Sequence, residues 1–209
     1  MVIGPTLHTV AAAERGVLVW EITTPMMSLS SAPVGGGFGR PGWIINIGVA
    51  KDYMRTDLAA HVGEVTSQIA LCGAGIALFT AAAIDQVQQR DVGGVVVDAT
   101  VGITKPTWAA DASGSYTSWS PGTINLVIRL PNGLDAGAAV NAVITATEAK
   151  TQALAESNVP GTGTASDAIV VVWPAEGQRE RFAGPRSEWG SRIALAVYGA
   201  VRAGVERSA

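Results

Sequence analysis

Val95-Val96-Val97-Asp98-Ala99-Thr100-Val101-Gly102-Ile103 is the stretch that decides the fold. It follows the turn signal Gly93-Gly94 and is apolar and β-branched except at Asp98 and Thr100, the strongest strand pattern in the chain. Weaker versions recur outward from it. Gly16–Ile22, Trp43–Val49, Ile76–Thr80, Thr123–Leu130 and Ala168–Trp173 all read as strands, and Met27–Ala32 extends the first or begins another. Helical spacing separates them. Thr56 or Asp57 can cap a helix carrying Leu58, Val62, Val65 and Ile69, and Ala81–Gln89 suits a short helix. Asp135 is placed to cap a long helix through Glu156 with Val140, Ile144, Thr147 and Thr151 on one face. Ser187–Val205 closes the chain as an amphipathic helix with Ile193, Val197, Ala200 and Val201 together. Gly35–Gly42 and Gly161–Asp167 read as loops, and Lys105–Gly122, with Trp108, Tyr116 and Trp119, as a long irregular segment of the functional kind. Strands and helices alternate without a strict βαβ rhythm. The expected class is α/β, one domain over residues 1–209, with a mixed β-sheet packed by helices.

Composition narrows the function. A net charge of −3 and scattered basic residues argue against a nucleic acid partner. The Arg179, Arg181, Arg186 group is broken by Glu180 and Glu188 and reads as a solvated loop. Residues 65–84 carry no charge, but their hydroxyl, amide and glycine content fits buried core with a turn near Gly73–Gly75 rather than a membrane span. Cys72 is the sole cysteine and is expected to be inert core. No internal disulfide is possible, and the first residues lack a signal-peptide layout, so a reducing, cytoplasmic setting is expected.

The chemistry is set by what is scarce. His8 and His61 are the only histidines; the first lies near a terminus and the second reads as a surface or boundary residue. No zinc spacing and no P-loop is present, and no metal site is expected. Carboxylates, amides and hydroxyls remain. Asp98 is a lone carboxylate in an apolar strand, costly unless paired, and is either a site residue or a structural one. Asn46 and Asn125 pose the same question within their strands. Glu148 on the long helix and Asp167 at a strand start have solvated or capping roles as alternatives.

Several of these segments resemble one family together, in order, over about residues 17–205. They are SSAP with the following glycines at 30–37, FTAAAIDQV at 79–87, VVDATVGIT at 96–104, PGTINLVI at 121–128, TEAKTQAL at 147–154, GTGTASDAIVV at 161–171 and the tail FAGPRSEWGSRIALAVYGAV at 182–201. The chain thus resembles the adenosylcobinamide amidohydrolases. It carries Gly35 where that family usually has Asn, and Lys105-Pro106 where it usually has Asn-Ala.

The resemblance implies hydrolysis of the amide joining aminopropanol to the corrin ring, giving adenosylcobyric acid for cobamide salvage. It implies a corrinoid ligand and no cofactor beyond the substrate's own cobalt. Amide hydrolysis needs an activated water or nucleophile, an oxyanion stabiliser and a proton for the leaving amine. With so few histidines, Asp98, Glu148 or Asp167 is the expected base, activating a water. Asn46 and Asn125 are expected to stabilise the oxyanion, and Ser31, Thr80, Thr100, Thr123, Thr162 and Thr164 to position substrate. Two other readings stay open: a corrinoid carrier without turnover, and an amidase or acyltransferase on another small amide. Tyr198 and Val201 of the closing helix can pack inside the chain or across a homodimer, and the sequence leaves both open.

Overall fold

Alternation along Val95–Gly102 builds the molecule, a computed structural model that describes residues 1–111 and 122–208. Val95, Val97, Ala99 and Val101 join one hydrophobic core, while Asp98 and Thr100, on the opposite face, meet residues of a second sheet. The elements in chain order are β1 (Val2–Val10), β2 (Ala13–Ile22), β3 (Met26–Ser30), β4 (Gly37–Gly39), β5 (Trp43–Gly48), α1 (Leu58–Gln68), β6 (Gly75–Thr80) and β7 (Gln88–Val92). They continue with β8 (Val95–Gly102), β9 (Thr123–Arg129), β10 (Gly133–Leu134), α2 (Ala136–Glu156), β11 (Ala168–Pro174), β12 (Arg179–Glu180) and α3 (Glu188–Ser208).

The expected α/β class and mixed strand directions hold, but the strands divide between two packed sheets, with β10 and β12 a separate parallel pair. One has the order β1-β2-β5-β6; the other has the order β4-β3-β11-β9-β8-β7. Each mixes directions: β5 and β6 run parallel, as do β9 and β11, and the other neighbours are antiparallel. Leu18, Trp20, Ile44, Ile76 and Leu78 of the first sheet pack on Val127, Val170 and Val172 of the second. The outer face of the first sheet is covered by α1 through Val62 and Val65, and that of the second by α2 and α3. The result is four layers, helix, sheet, sheet, helices.

Several local expectations are corrected. The N-terminal segment with His8 is strand β1, paired along β2. Met26–Ser30 is a separate strand of the second sheet, and the glycine-rich loop contains the short strand β4. Residues 81–89 give only a 3-10 turn at Ile84–Gln86 before β7. Asp57 and Asp135 do stand at helix N-caps, but neither side chain makes a capping bond. On α2 the buried stripe is Ala138, Ala139, Ala142, Ala146, Ala149 and Ala153, whereas Val140 and Ile144 are 47% and 49% exposed. The first half of that helix, residues 136–144, is apolar all round but for Asn141, so periodicity cannot choose its inner face; methyl-sized side chains let it lie close to α3 and the sheet. Cys72 is exposed, not core. His61 is buried, not at the surface. Val201 is core within its own chain, and Tyr198 donates its hydroxyl proton to Glu156. Tyr116 and Trp119 lie outside the described residues.

Gly35 has a φ of +72°, and a Cβ there would stand 2.1 Å from the Gly75 carbonyl oxygen. Only glycine fits this close approach, which brings Val34 beside Ala77 and joins the β3–β4 turn to the first sheet. No described helix is long and apolar enough to cross a membrane.

Candidate active site

At the end of the sandwich where β5 and β6 finish and β9 and β11 begin, the two sheets leave a cavity of about 420 Å³. Its walls are mostly apolar, from Pro33, Val49, Leu58, Phe79 and Ala168. Among the described residues, six polar ones line it: Tyr53, Arg55, Thr80, Thr123, Asn125 and Ser166. An apolar pocket with a few convergent polar groups is the usual form of a small-molecule site.

Asn125 is the pivot of its floor. It is 2% exposed, and its Nδ2 donates to the Phe79 carbonyl at 2.9 Å and to Asn46 Oδ1 at 3.0 Å. Because a backbone carbonyl only accepts, the Phe79 bond fixes which end of the amide is nitrogen. Asn46 is oriented in turn, its Nδ2 donating to Thr100 Oγ1 at 3.0 Å. The chain of amides therefore leaves Asn125 Oδ1 buried without a donor. An unmet buried acceptor costs about 1–3 kcal/mol, so it is a place where a ligand N–H is favoured. Ser28 Oγ and Arg129 Nε also lack partners, but neither residue lines the cavity.

The rim is built by the Gly161–Asp167 turn. Asp167 accepts from Lys150 Nζ, from the Ile124 N–H at 2.9 Å, and from the Thr164 N–H and hydroxyl at 3.1 and 2.6 Å. Thr162 ties the turn to residues 107–109, accepting from the Ala109 N–H at 2.9 Å. Thr123 and Ser166 hydroxyls meet at 2.8 Å. Ser31 Oγ accepts from the Ile169 N–H at 3.0 Å beside this rim, and Thr80 Oγ1 accepts from the Ala82 N–H at 3.1 Å.

The expected site residues thus fall into distinct places. Thr80, Thr123 and Asn125 line the cavity, with Asn46 and Thr100 behind Asn125. Ser31, Thr162, Thr164 and Asp167 hold the rim. Asp98 lies between the sheets, 1% exposed, accepting from Trp20 Nε1 at 2.8 Å, Gln89 Nε2 at 2.7 Å and Arg129 Nη2 at 2.8 Å. Burial holds its carboxyl above the usual range, and the Arg129 charge with the three donors offsets only part of that rise. Glu148 is exposed on α2. None of these three carboxylates is among the cavity's lining residues.

Sequence reasoning missed Tyr53, Arg55, Ser166 and, behind Tyr53, His61. Tyr53 Oη lies 2.7 Å from His61 Nδ1, and His61 Nε2 lies 2.7 Å from the Ala12 carbonyl oxygen. Arg55 grips Asp57 and Glu64, each at 2.8 Å. That holds Asp57 down to about 2 by hydrogen bonding to the guanidinium. No spacing signal pointed to these residues, because only the docking of α1 against the β1–β2 turn brings them together. Among the described residues, no group of three or more His, Cys, Asp or Glu is placed to hold a metal ion.

The sequence profile of the adenosylcobinamide amidohydrolases matches residues 4–209. The chain belongs to the adenosylcobinamide amidohydrolase family. Membership places it among hydrolases of an amide C–N bond. It is similar to the adenosylcobinamide amidohydrolase of Halobacterium salinarum, 30% identical over 201 residues that cover 90% of this chain and 84% of the relative. The protein of the same name from Methanosarcina mazei is 26% identical over 185 residues, covering 84% of this chain and 88% of the relative. Among solved structures, the PH0078 protein of Pyrococcus horikoshii aligns over 92% of this chain and 76% of its own, at 11% identity and a TM-score of 0.47. Four family-like segments converge on the cavity, supplying Pro33, Phe79 and Thr80, Thr123 and Asn125, and Ser166 and Ala168.

Proposed function

We propose that this chain hydrolyses the amide joining the aminopropanol arm to the corrin ring of adenosylcobinamide, releasing adenosylcobyric acid and aminopropanol for cobamide salvage. The observation that carries this reading, beside family membership, is an apolar cavity with a few convergent polar side chains, among them Asn125, whose buried Oδ1 has no partner. A corrinoid is bulky and planar with amide arms, and an amide N–H is the donor that oxygen lacks. A cavity of about 420 Å³ suits one arm of such a molecule, with the macrocycle outside. The cobalt enters as part of the substrate.

In this reading Asn125 accepts the N–H of the scissile amide and holds its carbonyl carbon toward the polar wall. Thr123 and Ser166 flank it. Asp167, braced by Lys150, fixes the rim, and Asp98 fixes the two sheets beneath. The free, exposed Cys72 accords with work in the reducing cytoplasm. Incubation with adenosylcobinamide, followed by mass spectrometry, tests the proposal. Adenosylcobyric acid and aminopropanol are expected in equal amounts at a catalytic rate. Spectroscopic binding of the corrinoid without either product would leave a carrier in its place.

A further inference from the structure

Among the described residues, Tyr53 and His61 are the one place where a protonatable residue lining the cavity is backed by a base that is itself oriented. Three rings pack there: Tyr53 stacks on Phe79 at 6.0 Å between centroids, and His61 lies 5.5 Å from Tyr53 and 5.8 Å from Phe79. Phe79 therefore does two jobs at the end of β6. Its carbonyl fixes Asn125, and its ring fixes Tyr53. Both walls of the cavity are held in register by one residue.

The tautomer of His61 follows from its neighbours. The Ala12 carbonyl accepts only, so Nε2 must carry the proton, and in the neutral ring Nδ1 is then a lone pair. Tyr53 Oη must donate to it. The order Ala12 C=O, H–Nε2, Nδ1, H–O is that of a base held by an orienting acceptor and engaged with the hydroxyl of a residue that lines the cavity. A phenol needed only for packing has no use for this arrangement, because a phenylalanine would stack equally well.

We propose that Tyr53 and His61 form the acid–base pair of this cavity, an inference that rests on amide hydrolysis being its reaction. As water attacks the amide carbon, its proton passes to Tyr53 Oη while the phenol's own proton moves to His61 Nδ1. The imidazolium keeps its Nε2–H on the Ala12 carbonyl. When the C–N bond breaks, Tyr53 gives a proton to the departing nitrogen and regains one from Nδ1. Water has then supplied the hydroxyl of the acid and one proton of the amine, and the pair is restored. Tyr53 is the catalytic residue, and His61 acts through it.

Charged groups around the pair are Glu14 of β2, Asp52, Arg55 and Asp57 of the loop before α1, and Glu64 of α1. Burial raises the phenol above its ordinary 10.0, Arg55 opposes this, and Asp57 and Glu64 add to it, so Tyr53 rests protonated.

The experiment is Tyr53→Phe and His61→Gln in the full chain, with kcat, KM and corrinoid affinity measured separately. Tyr53→Phe keeps the ring stack, so affinity should stay within about threefold while kcat falls roughly 100-fold or more. His61→Gln should lower kcat in the same direction, because His61 acts through Tyr53, with corrinoid affinity again within about threefold of wild type. A Tyr53→Phe enzyme within about threefold of wild-type kcat overturns the pair but leaves amide hydrolysis standing. A wild-type protein inert toward adenosylcobinamide overturns both. Nitrogen NMR of His61 in the unmodified protein gives a check independent of any variant: protonated Nε2 with bare Nδ1 is expected, and the opposite tautomer overturns the relay.

Discussion

Two polar clusters sit in the layer between the sheets, and they are finished differently. Around Asp98 both carboxylate oxygens are taken, by Gln89 on one side and Trp20 and Arg129 on the other. Around Asn125 the nitrogen is doubly used and the oxygen is left bare. Both residues are buried polar groups on strands β8 and β9, and Thr100, two residues beyond Asp98, even joins the second cluster through Asn46. The difference lies in the cavity. A polar group sealed in a dry interior must be satisfied within the chain, whereas one at a cavity wall can be left for a ligand to complete. The open acceptor marks Asn125 because it coincides with the cavity; Ser28 Oγ and Arg129 Nε are unpartnered away from it.

The strongest way to break that comparison is Asp98→Ala. It strands the Arg129 guanidinium, 14% exposed, without its carboxylate, and breaking such a buried pair typically costs about 3–5 kcal/mol. Denaturant unfolding should show that loss. A stability change under about 1 kcal/mol would mean Asp98 is not the structural brace described. Asn125→Ala sharpens the other side: corrinoid affinity should weaken roughly 10- to 100-fold, from about 1–3 kcal/mol of lost hydrogen bonding. Isothermal titration would read it, and unchanged affinity would detach Asn125 from the ligand.

The smallest effect is at the exposed rim of the cavity. Asp57 is depressed below its ordinary 3.8 to about 2 by Arg55. A depressed carboxylate stabilises the fold above its unfolded value, and that contribution fades as pH falls from about 4 toward 2. Arg55→Gln should therefore shift the melting temperature more at neutral pH than at pH 2, and only slightly, since the pair is solvated. An equal shift at both would show that Arg55 acts through packing instead.

Much of the frame was legible in the sequence because it depends on local period. The strand at Val95–Gly102, the flanking strands and all three helices follow from apolar spacing and turn residues that act over a few positions. Polar residues in apolar strands also marked one wall of the cavity, with Thr80, Thr123 and Asn125 lining it and Asn46 and Thr100 behind. Where period is ambiguous the reading failed, as on α2, whose alanines rather than Val140 and Ile144 turn inward.

Tertiary structure alone decided the rest. Periodicity states that a strand has a buried face but not what covers it, so the splitting of the strands into two facing sheets was not accessible. Nor was the partner of any side chain. Asp98 became a brace because Trp20 and Arg129 arrive from 78 residues before it and 31 residues after it. His61 became a buried base because α1 docks where Ala12 turns, 49 residues away in sequence. Residue type fixes what a group can donate or accept; long-range packing fixes which donors and acceptors it meets, and that is what separates a carboxylate that holds the fold from a phenol placed to move a proton.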